Sequence, residues 1–221
     1  MKENAIFLGH LGLGDHIICQ GIVNNLSKLY DRFFIVAKNH NVKSIEHMCS
    51  ELENVVVLGV PDDETAMQVV RVWPDERILV GIFGENWHYQ PNEFDKVFYE
   101  QLSIDMEQSF NWTPKDGSQS QKIIDQLCPE EDFCFVHDDT GRDFEIKLET
   151  KLPIVRNTIM SETIFDYLPL IRKAKEIHCM DSSFALMIDR SDIKVKKFLH
   201  RYLRKESGIP TYQSEWEIID V

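Results

Sequence analysis

Short apolar runs separated by amphipathic segments fill the first half of the chain. Ala5 to Leu8 predicts a buried strand, and Asp15 to Tyr30 a helix with Ile18, Ile22, Leu26 and Leu29 on one face. The alternation continues with strands at Phe33 to Ala37, Val55 to Leu58 and Ile78 to Ile82, and with helices at Val42 to Leu52 and Glu64 to Val72. Strands of this kind, continuously apolar and divided by helices, imply a parallel sheet covered on both faces.

The pattern changes between residues 84 and 118. This stretch is rich in aromatic side chains, with Phe94, Val97, Phe98 and Leu102 at helical spacing, and it ends in a polar Gly/Ser run. That run is the best place for an interdomain connection, which gives domains at 1–118 and 119–221. Beyond it, Lys122 to Leu127 reads as a helix. Strands are expected at Asp132 to Val136, Pro153 to Val155, Ile177 to Met180 and Lys194 to Leu199. Helices fall at Ser161 to Lys173 and Ser183 to Ile188, the first kinked or displaced by Pro169. The expected architecture is α/β, two parallel-sheet halves with a cleft between them and the second half reduced. One large domain is the alternative.

Composition narrows the function. The chain is 43% hydrophobic and 28% charged, ordinary for a globular protein, and carries a net charge of −13. So acidic a surface argues against nucleic acid or an anionic membrane as a partner. No apolar run approaches the roughly 20 residues of a membrane span, and the N-terminus does not read as a signal peptide. Cys19, Cys49, Cys128, Cys134 and Cys179 form no CxxC pair, so the expectation is a reduced, cytoplasmic protein without structural zinc. The eight histidines show no metal-ligand spacing either.

In open parallel sheets, ligands bind beyond the carboxyl ends of the strands. Three polar clusters fall there. In the first, Gly12 and Gly14 lead into Asp15 and His16. In the second, His137, Thr140 and Arg142 follow "DFCFV". In the third, Asp181, Ser182, Ser183 and Phe184 follow "EIHCM". Asp15 reads either as a helix N-cap or as an exposed base, since its charge is wrong for holding phosphate. Ser182 and Ser183 suit a phosphate at a helix start, and Arg142 could form a forked pair with phosphate oxygens. Trp87 and Tyr89, after the fourth strand, offer aromatic faces to a sugar ring. No GxGxxG with its acid, no GxxxxGK[ST] and no GxSxG is present, which argues against dehydrogenase, P-loop and α/β-hydrolase chemistry.

Together the clusters resemble glycosyltransferases of the two-Rossmann GT-B type, most closely the heptosyltransferase-like group, glycosyltransferase family 9. "LGLGDHIICQGIVNNL" is similar to that family's first loop and helix, "VHDDTGRDFEIK" to its donor-phosphate loop, and "MDSSFALMID" to its later donor loop. The resemblance implies Asp15 as general base. It also implies a donor site from Gly12, Gly14, His137, Thr140, Arg142, Asp181, Ser182, Ser183 and Phe184, and acceptor contacts from His16, Trp87 and Tyr89. The chain departs from the family in its shortness, in lacking the lysine of the second loop, and in having Ser183 where glycine is usual.

The implied reaction is inverting transfer of a hexosyl, pentosyl or heptosyl group from a nucleotide-sugar co-substrate to a glycan hydroxyl. It needs no tightly bound cofactor and no metal. The alternative is a non-catalytic module that binds a nucleotide or glycan on a degenerate transferase fold. An epimerase or hydrolase on a similar fold is a third reading.

Overall fold

A computed structural model describes residues 2–88, 91–204 and 208–220. The chain divides into two compact units. One comprises Met1–Trp112 with Gly208–Thr211, the other Thr113–Ser207 with Tyr212–Val221.

In the first unit, β1 (Lys2–Leu8), α1 (Leu13–Leu26), β2 (Tyr30–Lys38), α2 (Val42–Met48), β3 (Val55–Val60), α3 (Asp63–Arg71) and β4 (Glu76–Leu79) alternate, followed by α4 (Lys96–Glu100). The four strands are parallel, in the order β3-β2-β1-β4. Successive strand residues face opposite sides, which splits the apolar positions of β1 into two cores. Ile6 and Leu8 join Val36, Val60, Ala66 and Val70 on the side of α3, while Phe7 stacks on Phe33 on the other.

Three boundaries near the first-unit site differ from the sequence expectation. Helix α1 starts at Leu13, two residues before Asp15, because Gly12 takes the extended cap position at φ −71° and ψ 143°. It also stops at Leu26, and Tyr30 opens β2 instead of closing the helix. Strand β4 ends at Leu79, since Gly81 turns the chain at φ +68°.

The second unit contains α5 (Ser120–Leu127), β5 (Cys134–His137), β6 (Ile154–Arg156), α6 (Leu168–Ile171), β7 (Glu176–Met180), α7 (Ser183–Asp189), β8 (Lys196–His200) and β9 (Glu217–Ile219). Its five strands are parallel, in the order β6-β5-β7-β8-β9. Pro169 sits in the first turn of α6, where its missing N–H breaks no helical bond, and a 3-10 turn over Ile164–Tyr167 leads into it. Phe135 packs against Tyr167 and Phe184 on one face of the sheet. Cys134 and Val136 pack on the other against Ile146, Leu148 and Leu152, all from the β5–β6 connection.

Two buried carboxylates hold the C-terminal segment. Asp95, fully buried in the first unit, accepts from the backbone N–H and the hydroxyl of Thr211, each at 3.0 Å. Asp189, at the end of α7, accepts from Gln213 N–H (2.8 Å), Ser214 N–H (2.9 Å), the Ser214 hydroxyl (2.7 Å) and Trp216 Nε1 (3.2 Å), with Arg190 beside it. Among the described residues, no helix is long and apolar enough to cross a membrane.

Candidate active site

Each sheet has one place where its strand order reverses, between β1 and β4 and between β5 and β7. Ligands of open α/β sheets bind at such switch points. The sequence clusters fall on both.

In the first unit, Asp15 is the third residue of α1 and not its N-cap. Gly12 has no side chain with which to cap the helix, and the Asp15 carboxylate reaches back to accept from the Gly12 N–H instead, one half of a capping box. The approach is close, for a Cβ on Gly12 would lie 2.6 Å from Asp15 Oδ2. The side chain is only 22% exposed, and burial pushes its pKa from 3.8 up to about 6 against the opposing pull of the backbone N–H groups. Buried Asn41 donates to the Leu11 carbonyl at 3.1 Å and fixes the loop from the side of α2.

His10 completes this site, and sequence reasoning missed it. Its Nε2 accepts from the Ile82 N–H at 3.0 Å, which leaves the proton on Nδ1, 3.7 Å from Asp15 Oδ1. Burial lowers the pKa of the ring, opposed by the charge of Asp63, so the neutral tautomer is favoured. Phe83, Trp87 and Phe98 meet the imidazole edge-on, with centroids 6.3, 5.5 and 4.9 Å away. Gly81 makes this approach possible, since a Cβ there would lie 2.4 Å from His10 Nε2. The residue sits inside the glycine loop, but its partners come from the turn after β4, some seventy positions later. Trp87 is half-buried here, and His16 is turned inward, 4% exposed with a pKa lowered by burial to about 4. Tyr89 lies outside the described residues.

In the second unit, the imidazole of His137, at the end of β5, stacks on Phe184 with centroids 4.0 Å apart and planes at 17°. Burial lowers its pKa to about 4, against a hydrogen bond with Asn157 and the nearby Asp138 and Asp139 charges, so the ring is neutral. Among the described residues, His137 Nδ1 and the Oγ of Ser182, the N-cap of α7 just beyond β7, are both buried with no hydrogen-bond partner. Unpaired polar atoms of this kind are rare in native proteins and call for an explanation. Ser183 and Phe184 open α7 behind Ser182.

The other expected residues are occupied differently. Asp181 accepts from Arg201 at 2.9 Å and from the Tyr212 hydroxyl at 3.1 Å, and its carbonyl accepts from Arg204 at 2.9 Å. Arg142 reaches Asp139 at 3.2 Å with 70% of its side chain exposed. Thr140 lines an open concavity of about 410 Å³ with Asp143, Glu145, Lys147 and Tyr202. Lys147 and Tyr202 carried no sequence signal, the first because it lies in a long loop, the second because it belongs to a turn after β8.

Comparison with known structures bears on the fold. The chain matches the crystal structure of a family 9 glycosyltransferase from Veillonella parvula. The two are 12% identical, with a TM-score of 0.58, and the match covers 100% of this chain and 86% of that one. The likeness is one of fold. A second match, the iron-containing dodecameric glycosyltransferase TibC from enterotoxigenic E. coli, is 10% identical with a TM-score of 0.49, over 95% of this chain and 61% of that one. No family model and no curated protein sequence matches the chain.

Proposed function

We propose that the chain is a glycosyltransferase in which Asp15 is the general base. The observation that carries this reading is the Asp15 carboxyl itself. It is held by the backbone at a switch point, poised at a pKa of about 6, and flanked by neutral His10 and the aromatic side chains beside it. A base of that strength is charged at neutral pH yet able to accept a proton from a hydroxyl, which is worth typically about 10² to 10⁴ in rate.

In the proposed step the acceptor O–H gives its proton to Asp15, and the oxygen attacks the anomeric carbon. The bond from that carbon to the diphosphate breaks, and the electron pair leaves with the nucleoside diphosphate. One displacement inverts the anomeric centre. His10 lies beside the carboxylate, its Nδ1 3.7 Å from Asp15 Oδ1, while Trp87 offers a face to the acceptor. The second unit takes the donor, with His137, Ser182, Ser183, Thr140, Arg142 and Lys147 toward its oxygens. The scheme assigns the leaving charge to these groups and to backbone N–H groups, without a metal. The five free thiols support a reducing, cytoplasmic setting, where nucleotide sugars are available.

The concavity by Thr140 carries two carboxylates and one ammonium, which favours a second reading, a module that holds a sugar without turnover. One assay separates them. The purified chain is incubated with a panel of nucleotide sugars, and nucleoside diphosphate release is followed beside thermal shift. Release from at least one donor supports the transferase, and a thermal shift without release supports the module.

Two substitutions probe the site separately. Gly12→Ala keeps an allowed backbone conformation but displaces the Asp15 carboxylate. Stability should change by less than about 1 kcal/mol, and activity should fall by as much as about 10²-fold. Ser182→Ala removes an unpaired buried hydroxyl. The free protein should melt no lower than wild type, or higher by up to about 1 kcal/mol of stability. Calorimetric affinity for nucleoside diphosphates should drop, and unchanged affinity would take Ser182 out of the donor site.

A further inference from the structure

Away from the switch point, the second sheet brings together three side chains of a different kind. Cys134 and Glu176 are register partners at the amino ends of β5 and β7, and His178, two residues along β7, shares their face. One ligand atom from each, the Cys134 sulfur, a Glu176 carboxylate oxygen and a His178 ring nitrogen, lie within 4.8 Å of one another. Glu176 and His178 Nε2 stand 3.9 Å apart.

From this geometry we infer a zinc site formed by Cys134, Glu176 and His178 that clamps β5 to β7. Thiolate, imidazole and carboxylate are the donors zinc takes, at about 2.0–2.3 Å each. Tetrahedral bonds of that length set the ligands about 3.3–3.8 Å apart, so metal binding draws the three side chains together.

The surroundings of His178 fit the role. Its Nδ1 lies 2.9 Å from His200 Nε2, and in the tautomer that carries its proton on Nδ1 this contact anchors the ring and leaves the Nε2 lone pair for the metal beside Glu176. A metal-bound histidine typically has its second nitrogen anchored in this way. Phe198 stacks on the same ring, with centroids 4.3 Å apart and planes at 9°, and holds its plane. Lys196, on the next rung beside Glu176, turns to Glu217 at 3.0 Å.

Cys134 and His178 are buried, and Glu176 is half-exposed. Cys134 and Glu176 open their strands and His178 lies midway along β7, all on the sheet face opposite the one from which Phe135 and His137 stack on Phe184. The metal therefore staples the sheet and takes no part in the reaction. Sequence spacing cannot signal such a site, because the ligands are joined by strand register, with Glu176 lying 42 positions after Cys134.

The test uses the full chain, stripped with a chelator and titrated with Zn²⁺ or Co²⁺. Expected are one Zn²⁺ per chain by metal analysis after dialysis, a higher melting temperature with Zn²⁺, and a thiolate-to-cobalt charge-transfer absorption in the Co²⁺ form. Cys134→Ser should abolish the absorption and the thermal shift, and His200→Gln should weaken Zn²⁺ binding about 10- to 100-fold. Glu176→Gln, at a half-exposed position, should fold normally and lose the shift even if Cys134→Ser does not fold. A Co²⁺ form without thiolate absorption, or a Zn²⁺ shift that persists in Glu176→Gln, would overturn the site.

Discussion

Asp15→Asn is expected to lower transfer by about 10²-fold or more while raising the melting temperature at pH 8. The two effects share one cause. Folding lifts the Asp15 carboxyl from its ordinary 3.8 to about 6, because burial disfavours the charged form. The folded protein therefore binds a proton more tightly than the unfolded chain. Protonated Asp15 contributes stability that is complete below about pH 4 and is lost as the pH rises through 6. Above that pH the charged side chain costs about 1–3 kcal/mol, and asparagine removes the charge while keeping an oxygen for the Gly12 N–H. Circular-dichroism melts of the two proteins at pH 8 and pH 4 check the sign, with the gap present at the first and closed at the second. Donor binding should be unchanged, since its proposed ligands belong to the second unit.

Asp189→Ala should produce the largest loss of stability, about 3–5 kcal/mol. The carboxylate is fully buried and satisfies four donors from residues 213–216 as well as Arg190. Alanine leaves the Arg190 guanidinium buried without its carboxylate, and strips the partners from two backbone N–H groups, a hydroxyl and an indole. Loss of these bonds releases the segment that leads into β9. Urea denaturation with Trp216 as one reporter is the measurement. A change under about 1 kcal/mol would mean that solvent replaces the carboxylate readily and that the segment is held by its strand pairing alone.

The parallel strands were legible because each is a short apolar run closed by polar residues, a pattern set by burial on both faces. Asp15 was legible for a related reason, as an acid at the end of a glycine loop. Its helical position was not, because aspartate is favoured both as an N-cap and in the first turn. Gly12, with no side chain to offer, decided between them. Strand β9 was invisible, since three residues after a polar stretch carry no periodicity and their approach is held by Asp189 in α7. His10 stood in plain view within the glycine loop, but its meaning comes from Gly81 and Ile82 across the switch point. Asp181 reads in sequence like a ligand-facing acid, and the fold uses it to hold Arg201 and Tyr212. The zinc ligands are the extreme case, joined only by register.

The central claim is that Asp15 takes the acceptor's proton, and the pH dependence of transfer tests it most directly. The rate is measured from pH 4.5 to 9 for the wild type and for Asp15→Asn, with a donor found in the nucleotide-sugar panel. The wild-type rate should fall with a single ionisation near pH 6 as the carboxylate is protonated, and the variant should be slow with that ionisation gone. A folded Asp15→Asn protein that transfers at the wild-type rate, with the same pH profile, would contradict the account.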